Sequence, residues 1–221
     1  LAARKHRPVV GVILSSEGNA FFDEVIRGLE TAEKLYHIYG LKTLRYSMKG
    51  YHVAHQLEII REAAVKVNAL IINPINDPQI AAALDALVEQ GIFVVTINND
   101  IENCRRHCYV GSDYFNGGET ACALLEQLLG EKAAIGVVLG SHQVLGHRER
   151  LAGFKKRMAE LPGFRIAAII ENQDDEFCSY DKTRELLLAH PELDALFLVA
   201  GGVYGACRAV LGTERSKPLK V

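Results

Sequence analysis

The first candidate ligand-binding residues lie just after a short apolar run near the start of the chain. Ser15 and Asn19 offer small polar groups, and the adjacent aromatics Phe21 and Phe22 follow them at the predicted start of a helix. Aromatic rings beside hydrogen-bonding groups suit a sugar, which has apolar C–H faces and polar edges. Alternatively, Asn19 caps the helix and Phe22 belongs to its buried stripe.

Two further polar groupings follow later apolar runs. Asn98, Asn99 and Asp100 are three successive short polar side chains that can bond to hydroxyls, although Asn and Asp also form turns by bonding to their own backbone. Arg150 lies near a predicted helix start, where a cation opposes the helix dipole. Its planar guanidinium can hold hydroxyls or a carboxylate with several donors, so we expect it to bind ligand.

A fourth loop carries acidic groups beside one aromatic ring. Asp175 and Phe177 are its candidate ligand contacts, although Asp174 or Asp175 would serve equally well as the cap of the next helix. The later turn Ala200-Gly201-Gly202 offers only backbone.

Motifs for common catalytic chemistries are absent. The sequence has no phosphate-binding P-loop, no dinucleotide glycine motif after the first strand, no HExxH and no GxSxG. Cys104, His107 and Cys108 resemble half of a zinc site, but a second ligand pair is missing. We therefore predict no enzyme activity, no cofactor and no metal.

These residues require a scaffold of alternating strands and helices. Short β-rich runs alternate with amphipathic stretches, which is typical of parallel α/β sheets. Predicted strands are Val9 to Leu14, Thr43 to Ser47, Ala69 to Asn73, Phe93 to Asn98, Tyr109 to Gly111, Ile135 to Leu139, Arg165 to Ile170 and Leu196 to Val199. Ligands of such sheets bind beyond the carboxyl ends of the strands, where the candidate loops lie.

Composition places the chain among ordinary globular proteins. It has 221 residues, 49% hydrophobic, and a formal net charge of −2, with no apolar run long enough to span a membrane. That charge disfavours a large nucleic-acid surface on this chain itself. The cysteines are odd in number and form no Cys-x-x-Cys pair, so we expect reduced thiols and a cytoplasmic location: they are Cys104, Cys108, Cys122, Cys178 and Cys207.

Several motifs in order resemble one family. The chain is similar to the ribose/galactose-type periplasmic sugar-binding fold and to the effector-binding core of LacI/GalR-type transcription regulators, which shares it. The motifs are Val9 to Leu14 with Asn19 to Phe22, Leu70 to Pro74, Val94 to Asn99, Gly111 to Asp113 with Gly117 and Gly118, Arg148 to Phe154, and Ala189 to Ala195.

The resemblance implies an α/β protein of two lobes, each a parallel sheet flanked by helices, closing on a small ligand without catalysis. We expect a linker over residues 1–8, an N-terminal lobe over 9–101 and an incomplete C-terminal lobe over 102–221, with chain missing at both ends. By position, the family's ligand contacts fall on Asn19, Phe21, Asn98, Asn99 and Arg150. The ligand is expected to differ from ribose or galactose, because Asn98-Asn99 and Ala200-Gly201-Gly202 depart from the usual family residues.

Three functions remain open at this point. We favour a cytoplasmic transcription regulator, in which a sugar effector controls operator DNA binding through a preceding head domain and the core forms a homodimer. The basic residues Arg4 to Arg7 fit the exit from such a head. The alternative is a periplasmic sugar-binding receptor of an ABC transporter, for which five cysteines are awkward. An enzyme acting on a sugar phosphate lacks the necessary motifs.

Overall fold

The computed structural model describes residues 7–15, 17 and 21–221. The chain divides into two compact units, Leu1–Gly111 and Ser112–Val221. The break falls after Gly111 rather than after residue 101, because the strand Cys108–Val110 pairs with the sheet of the first unit. The parallel α/β fold predicted from the sequence is confirmed.

The first unit is built on a five-stranded parallel sheet in the order β2-β1-β3-β4-β5. Its strands are β1 (Val9–Leu14), β2 (Lys42–Ser47), β3 (Ala69–Ile72), β4 (Phe93–Ile97) and β5 (Cys108–Val110). Its α-helices are α1 (Phe21–Tyr36), α2 (Val53–Ala64) and α3 (Pro78–Glu89), and a 3₁₀ turn, His37–Tyr39, follows α1.

Helices cover both faces of this sheet, which explains why its inner strands β1 and β3 are continuously apolar. Val12 and Leu14 pack on one face with Phe22 of α1. On the other face, Ile13 and Leu70 belong to the larger core that α2 and α3 complete. Successive residues of one strand therefore serve opposite cores, as the two-residue period of a strand requires.

The second unit contains a three-stranded parallel sheet in the order β7-β6-β8. Its strands are β6 (Ala133–Leu139), β7 (Phe164–Glu171) and β8 (Ala195–Leu198). Its helices are α4 (Tyr114–Leu129), α5 (Leu145–Met158), α6 (Glu176–Ala189) and α7 (Val203–Leu211). The central strand, β6, is buried along its whole length.

Helices α4 and α5 cross at two glycines. A Cβ on Gly118 would lie 1.9 Å from the Arg150 carbonyl oxygen, and a Cβ on Gly153 would lie 1.9 Å from the Phe115 carbonyl oxygen. Both distances are far below van der Waals contact, so only glycine allows the two backbones to pack this closely. Because Arg150 is at this crossing, the glycines also set its position.

The apolar spacing of the sequence predicts helices that start near Arg148 and near Tyr180, and both begin earlier in the structure. Helix α5 starts at Leu145 rather than near Arg148, so Arg150 lies inside its second turn. Helix α6 starts at Glu176 rather than near Tyr180, because the Asp175 side chain accepts bonds from the backbone N–H groups of Phe177 and Cys178. Among the described residues, no helix combines the length and apolarity needed to cross a membrane.

Candidate functional site

Buried amides join the strand ends of the first unit. Asn73, just after β3, accepts through Oδ1 from both the backbone N–H and the side-chain amide of Asn99, at 3.2 and 3.1 Å. Gln56 of α2 donates to the Asn73 carbonyl oxygen at 3.1 Å and accepts from the Ile75 N–H at 2.9 Å. All three amide side chains are buried, so the loops after β3 and β4 are fixed to each other.

The other two residues of the Asn98 to Asp100 run are also tied to the first unit. Asn98 has a φ of 61°, and its carbonyl oxygen accepts from the Tyr109 hydroxyl at 2.8 Å. Asp100 accepts from the Thr96 hydroxyl at 2.8 Å and forms an ion pair with Arg106. These bonds hold the loop in one shape and compensate the Asp100 charge.

Only part of the first predicted loop can be described. Ser15 is partly buried at the end of β1, whereas Asn19 lies outside the described residues. Phe22 is 3% exposed and packs in the core with Val12 and Leu14. It therefore belongs to the buried stripe of the helix, which was the alternative to ligand contact. Phe21 is 58% exposed and meets the Phe22 ring edge-on, so it is the aromatic that can reach a ligand.

Arg150 is anchored within the second unit. Its Nη1 donates to the Val199 carbonyl oxygen, just after β8, at 2.8 Å. Its guanidinium stacks over the Tyr114 ring at 4.1 Å from the ring centroid. A guanidinium has five N–H donors, so one bond to Val199 leaves donors that can serve a ligand.

Two acidic residues of the loop after β7, Asp174 and Asp175, have different roles. Asp175 caps α6 and Phe177 is 84% exposed on the first turn of that helix. Asp174 instead lies at the strand ends: its Oδ1 accepts from the Gly201 N–H at 2.8 Å, and its own N–H donates to the Asn172 Oδ1 at 2.9 Å. The carboxylate at this edge is therefore Asp174, and the sequence had favoured its neighbour.

A buried histidine faces Asp174. His147 Nε2 of α5 lies 4.0 Å from Asp174 Oδ2, and His147 Nδ1 accepts from the Ser141 N–H at 3.1 Å. Burial lowers the pKa of His147, the nearby Arg150 charge lowers it further, and the Asp174 carboxylate only partly opposes them. These effects together favour the neutral form of the imidazole.

In the loop after β8, Ala200 is followed by two glycines, which have no side chains. Side chains from other elements hold this loop in place. In addition to Arg150 and Asp174, Asn172 donates to the Gly201 carbonyl oxygen at 2.8 Å, and Ser179 donates to the Gly202 carbonyl oxygen at 2.6 Å. Gly202 has a φ of 80°, which favours glycine. The turn Ala200-Gly201-Gly202, which offers only backbone groups, is thus held in one conformation by these bonds.

Sequence reasoning missed four members of these clusters: Gln56, Asn73, His147 and Asp174. Gln56 is the polar residue on the buried face of α2, which is otherwise apolar, and this break in the apolar stripe could have indicated it. His147 directly precedes the charged residues Arg148 to Arg150, a pattern that predicts a surface histidine. Its burial depends on α5 starting at Leu145, which the sequence pattern did not indicate.

The cysteines form no recognisable site. All five are free, and among residues 7–15, 17 and 21–221 no group of three or more His, Cys, Asp or Glu side chains is placed to hold a metal ion. His107 is occupied within the fold, since its Nδ1 accepts from the Val94 N–H at 3.1 Å and its ring packs on Phe93.

Curated relatives of this chain are sugar-binding proteins. The ribose import binding protein RbsB of Bacillus subtilis (strain 168) is 25% identical over 202 residues, which cover 89% of this chain and 63% of the relative. The D-ribose/D-allose-binding protein of Pseudomonas aeruginosa is 24% identical over 231 residues, covering 100% of this chain and 71% of the relative. This chain thus spans less than two thirds of the length of the Bacillus protein.

Solved structures have the same fold. An ABC transporter solute-binding protein from Burkholderia graminis, solved with D-arabinose, is 25% identical with a TM-score of 0.87, over 96% of this chain and 73% of that one. GanP, a glucose-galactose binding protein from Geobacillus stearothermophilus, has a TM-score of 0.85 at 24% identity, over 94% of this chain and 74% of that one. The second likeness shows the fold alone.

The prediction of a transcription regulator of the LacI/GalR type is wrong. The relatives are import and solute-binding proteins, and neither operator DNA nor a homodimer has support among them. The cytoplasmic location is wrong for the same reason. The number of cysteines was a poor guide to location. A buried thiol such as Cys122 behaves as a small apolar residue, because burial raises its pKa and keeps it unreactive.

The family assignment rests on almost the whole chain. The sequence pattern of the family described as "Periplasmic binding protein domain" matches residues 10–221. The family and the relatives above are described as binding proteins, not as enzymes. The match includes the strands of both units and the loops that carry the polar clusters, and the chain belongs to the periplasmic binding protein domain family.

Proposed function

We propose that this chain binds a monosaccharide and serves as the sugar receptor of an ABC importer outside the cytoplasm. The names of its relatives, which include ribose, allose and arabinose binders, support a monosaccharide. Because the chain spans 63% of the Bacillus relative, both the importer partner and the sugar are part of the proposal.

The observation that carries this proposal is the chemistry of the strand ends. A sugar offers hydroxyls that both donate and accept, so its site needs donors and acceptors held in fixed positions. The second unit supplies a donor in Arg150 and an acceptor in Asp174, each anchored to the loop after β8. Considered by itself, the first unit carries the exposed ring of Phe21, while its buried Asn73 and Asn99 amides fix the loops after β3 and β4.

Isothermal titration calorimetry of the chain tests the binding. D-ribose, D-allose, D-arabinose and D-galactose are titrated separately, with sucrose as a control that shares hydroxyl chemistry but is too large for a monosaccharide site. We expect saturable heat for at least one monosaccharide and none for sucrose. A folded chain that binds none of the four at millimolar concentration would overturn the proposal.

Uptake tests the importer role separately. Cells carrying the Arg150→Gln variant are compared with parent cells for uptake of the radiolabelled sugar that binds. We expect slower uptake in the variant at low external sugar concentration. Normal uptake in cells whose purified variant no longer binds would leave a sugar-binding protein without an importer role.

A further inference from the structure

A glutamine side chain is sealed inside the first unit, on the face of α2 that packs on the sheet. Gln56 lies in the first turn of α2 and is 0% exposed, whereas the other buried residues of this helix are apolar. Burying an amide costs free energy unless its donor and acceptor are both paired. A polar group in this position therefore needs specific partners, and the structure provides them.

Both ends of the Gln56 amide bond to the backbone of the loop after β3. Its Nε2 donates to the Asn73 carbonyl oxygen at 3.1 Å, and its Oε1 accepts from the Ile75 N–H at 2.9 Å. A backbone carbonyl oxygen can only accept and a backbone N–H can only donate, so these two bonds fix the orientation of the amide. They also hold the loop at two points, two residues apart.

Asn73 extends this constraint to the loop after β4. Its Oδ1 accepts from the backbone N–H of Asn99 at 3.2 Å and from the Asn99 side-chain amide at 3.1 Å. Its own N–H donates to the Ile13 carbonyl oxygen of β1 at 2.9 Å. A shift of the loop after β3 would therefore move or break the bonds that hold the loop after β4.

Gln56 also contacts the segment that follows β2. Its Nε2 lies 3.6 Å from Met48 Sδ, which is a weak acceptor. Met48 is 1% exposed, and its N–H donates to the carbonyl oxygen of Leu14, the last residue of β1, at 3.0 Å. The carboxyl ends of β1, β2, β3 and β4 are thus connected to one side chain of α2 through short chains of bonds.

We propose that Gln56 is a positioning residue: without touching the ligand, it sets ligand affinity by holding the strand-end loops of the first unit in place. Ligands of parallel sheets bind beyond these carboxyl ends, and binding groups must be held to within about 0.5 Å. Without Gln56, the Asn73 carbonyl oxygen and the Ile75 N–H lose buried partners, so the loop must move to satisfy them. The inference rests on the proposed monosaccharide binding and adds a residue on which its affinity depends.

Hydrogen exchange of the chain without sugar tests the positioning alone. Gln56→Met keeps the approximate length of the side chain but removes its donor and its acceptor. We expect at least tenfold faster exchange of the Ile75 and Asn99 N–H groups, because local opening becomes easier. The Phe93 N–H bonds to the Asn68 carbonyl oxygen at the other end of β4 and should exchange as before. Unchanged exchange at Asn99, or equal acceleration at Phe93, would overturn the inference.

Calorimetry well below the melting temperature tests the effect on affinity, with the sugar that binds the unaltered chain most tightly. We expect at least tenfold weaker binding by Gln56→Met. Gln79→Met, the same change at an exposed position on α3, should not alter the affinity. Ile60→Val, a buried change on α2, should lower the melting temperature without weakening binding, since the chain is still folded. A folded Gln56→Met variant with the affinity of the unaltered chain would overturn the inference and leave the proposed function intact.

Gln56→Glu supplies a rescue. A buried carboxyl group is neutral at pH 5 and can then donate and accept as glutamine does, whereas its ionised form only accepts. Relative to the unaltered chain at the same pH, we expect affinity within about threefold at pH 5 and a clear loss at pH 8. This comparison also decides the matter if Gln56→Met does not fold. An equal loss at both pH values, or none at either, would overturn the inference. If the unaltered chain binds no sugar, the proposed function and the affinity role of Gln56 fail together.

Discussion

Single side chains at the strand ends combine a structural role with the ligand-binding role that we propose for them. Arg150 is the clearest case, because one guanidinium N–H holds the loop after β8 while its plane stacks on Tyr114. The same is true of Asn99, whose amide holds Asn73. Substitutions at such positions affect both folding and binding, so their tests need a readout for each.

We predict that Arg150→Gln weakens sugar binding at least tenfold, about 1.4 kcal/mol, because glutamine lacks the planar set of donors. The loss of the Val199 bond and of the Tyr114 stacking should also lower the free energy of unfolding by about 1 kcal/mol. Calorimetry and urea denaturation measure the two effects separately. Lys155→Gln, an exposed change on the same helix, should alter neither; normal binding by the Arg150 variant would remove this residue from the site.

Asp194 gives a pH-dependent prediction at the same scale. Partial burial opposes its ionisation, but the Ala134 N–H and the Lys217 ammonium outweigh it, so the pKa of Asp194 lies below its ordinary value of 3.8. A lowered carboxyl pKa contributes stability above the unfolded-state pKa, and this contribution is lost as the pH falls through the folded-state value. Asp194→Asn should therefore cost about 1 kcal/mol at pH 7, allowing for solvent screening, and much less at pH 3.

Urea denaturation at the two pH values measures that difference. Asp181→Asn, a change at an exposed position on α6, is the control and should behave alike at both. An equal cost for Asp194→Asn at pH 7 and pH 3 would show that its charge is unimportant.

At the scale of elements, packing of helices on sheets sets where the polar groups lie. The Gly118 and Gly153 crossing brings α5 close to α4, so that Arg150 of α5 reaches Tyr114 at the start of α4. The position of the site in the second unit therefore depends on helix-to-helix distance as well as on loop sequence.

We predict that Gly118→Ala lowers the free energy of unfolding by about 2–3 kcal/mol, because the added methyl group meets the Arg150 carbonyl oxygen and forces the helices apart. Gly117→Ala is the matched control, with no atom within 4 Å of the added Cβ. It should stabilise α4 slightly, since alanine is the better helix former. Equal stability of the two variants in urea denaturation would contradict the close crossing.

Sequence patterns predicted the elements far better than the site. The apolar runs at Val9–Leu14 and Ala133–Leu139 are strands because parallel sheets are covered on both faces. The choice between Asp174 and Asp175 depended instead on one backbone conformation at φ 56°. The spacing of residues in the sequence cannot predict this backbone angle. Asp174 and Asp175 are adjacent and of the same type, so the sequence does not distinguish them.

At the scale of the whole molecule, binding and stability are linked. A ligand that binds only the folded chain stabilises it by mass action, so sugar at about 100 times its Kd should add about 2.7 kcal/mol to the free energy of unfolding. Thermal melting with increasing sugar concentration measures this. The Arg150→Gln variant should show a clearly smaller shift at the same concentration, and an undiminished shift would place the sugar away from Arg150.

The glycine loop after β8 also constrains how this protein can evolve. A Cβ at position 201 would lie 3.0 Å from the Asp174 Cβ, closer than ordinary contact, and a Cβ at position 202 would collide with the Asn172 amide at 2.5 Å. Because every residue except glycine has a Cβ at position 174, a shorter side chain there would not relieve the contact with position 201, so the loop itself would have to shift. Descendants of this sequence are therefore expected to keep glycine at positions 201 and 202 as long as the loop after β7 keeps its path.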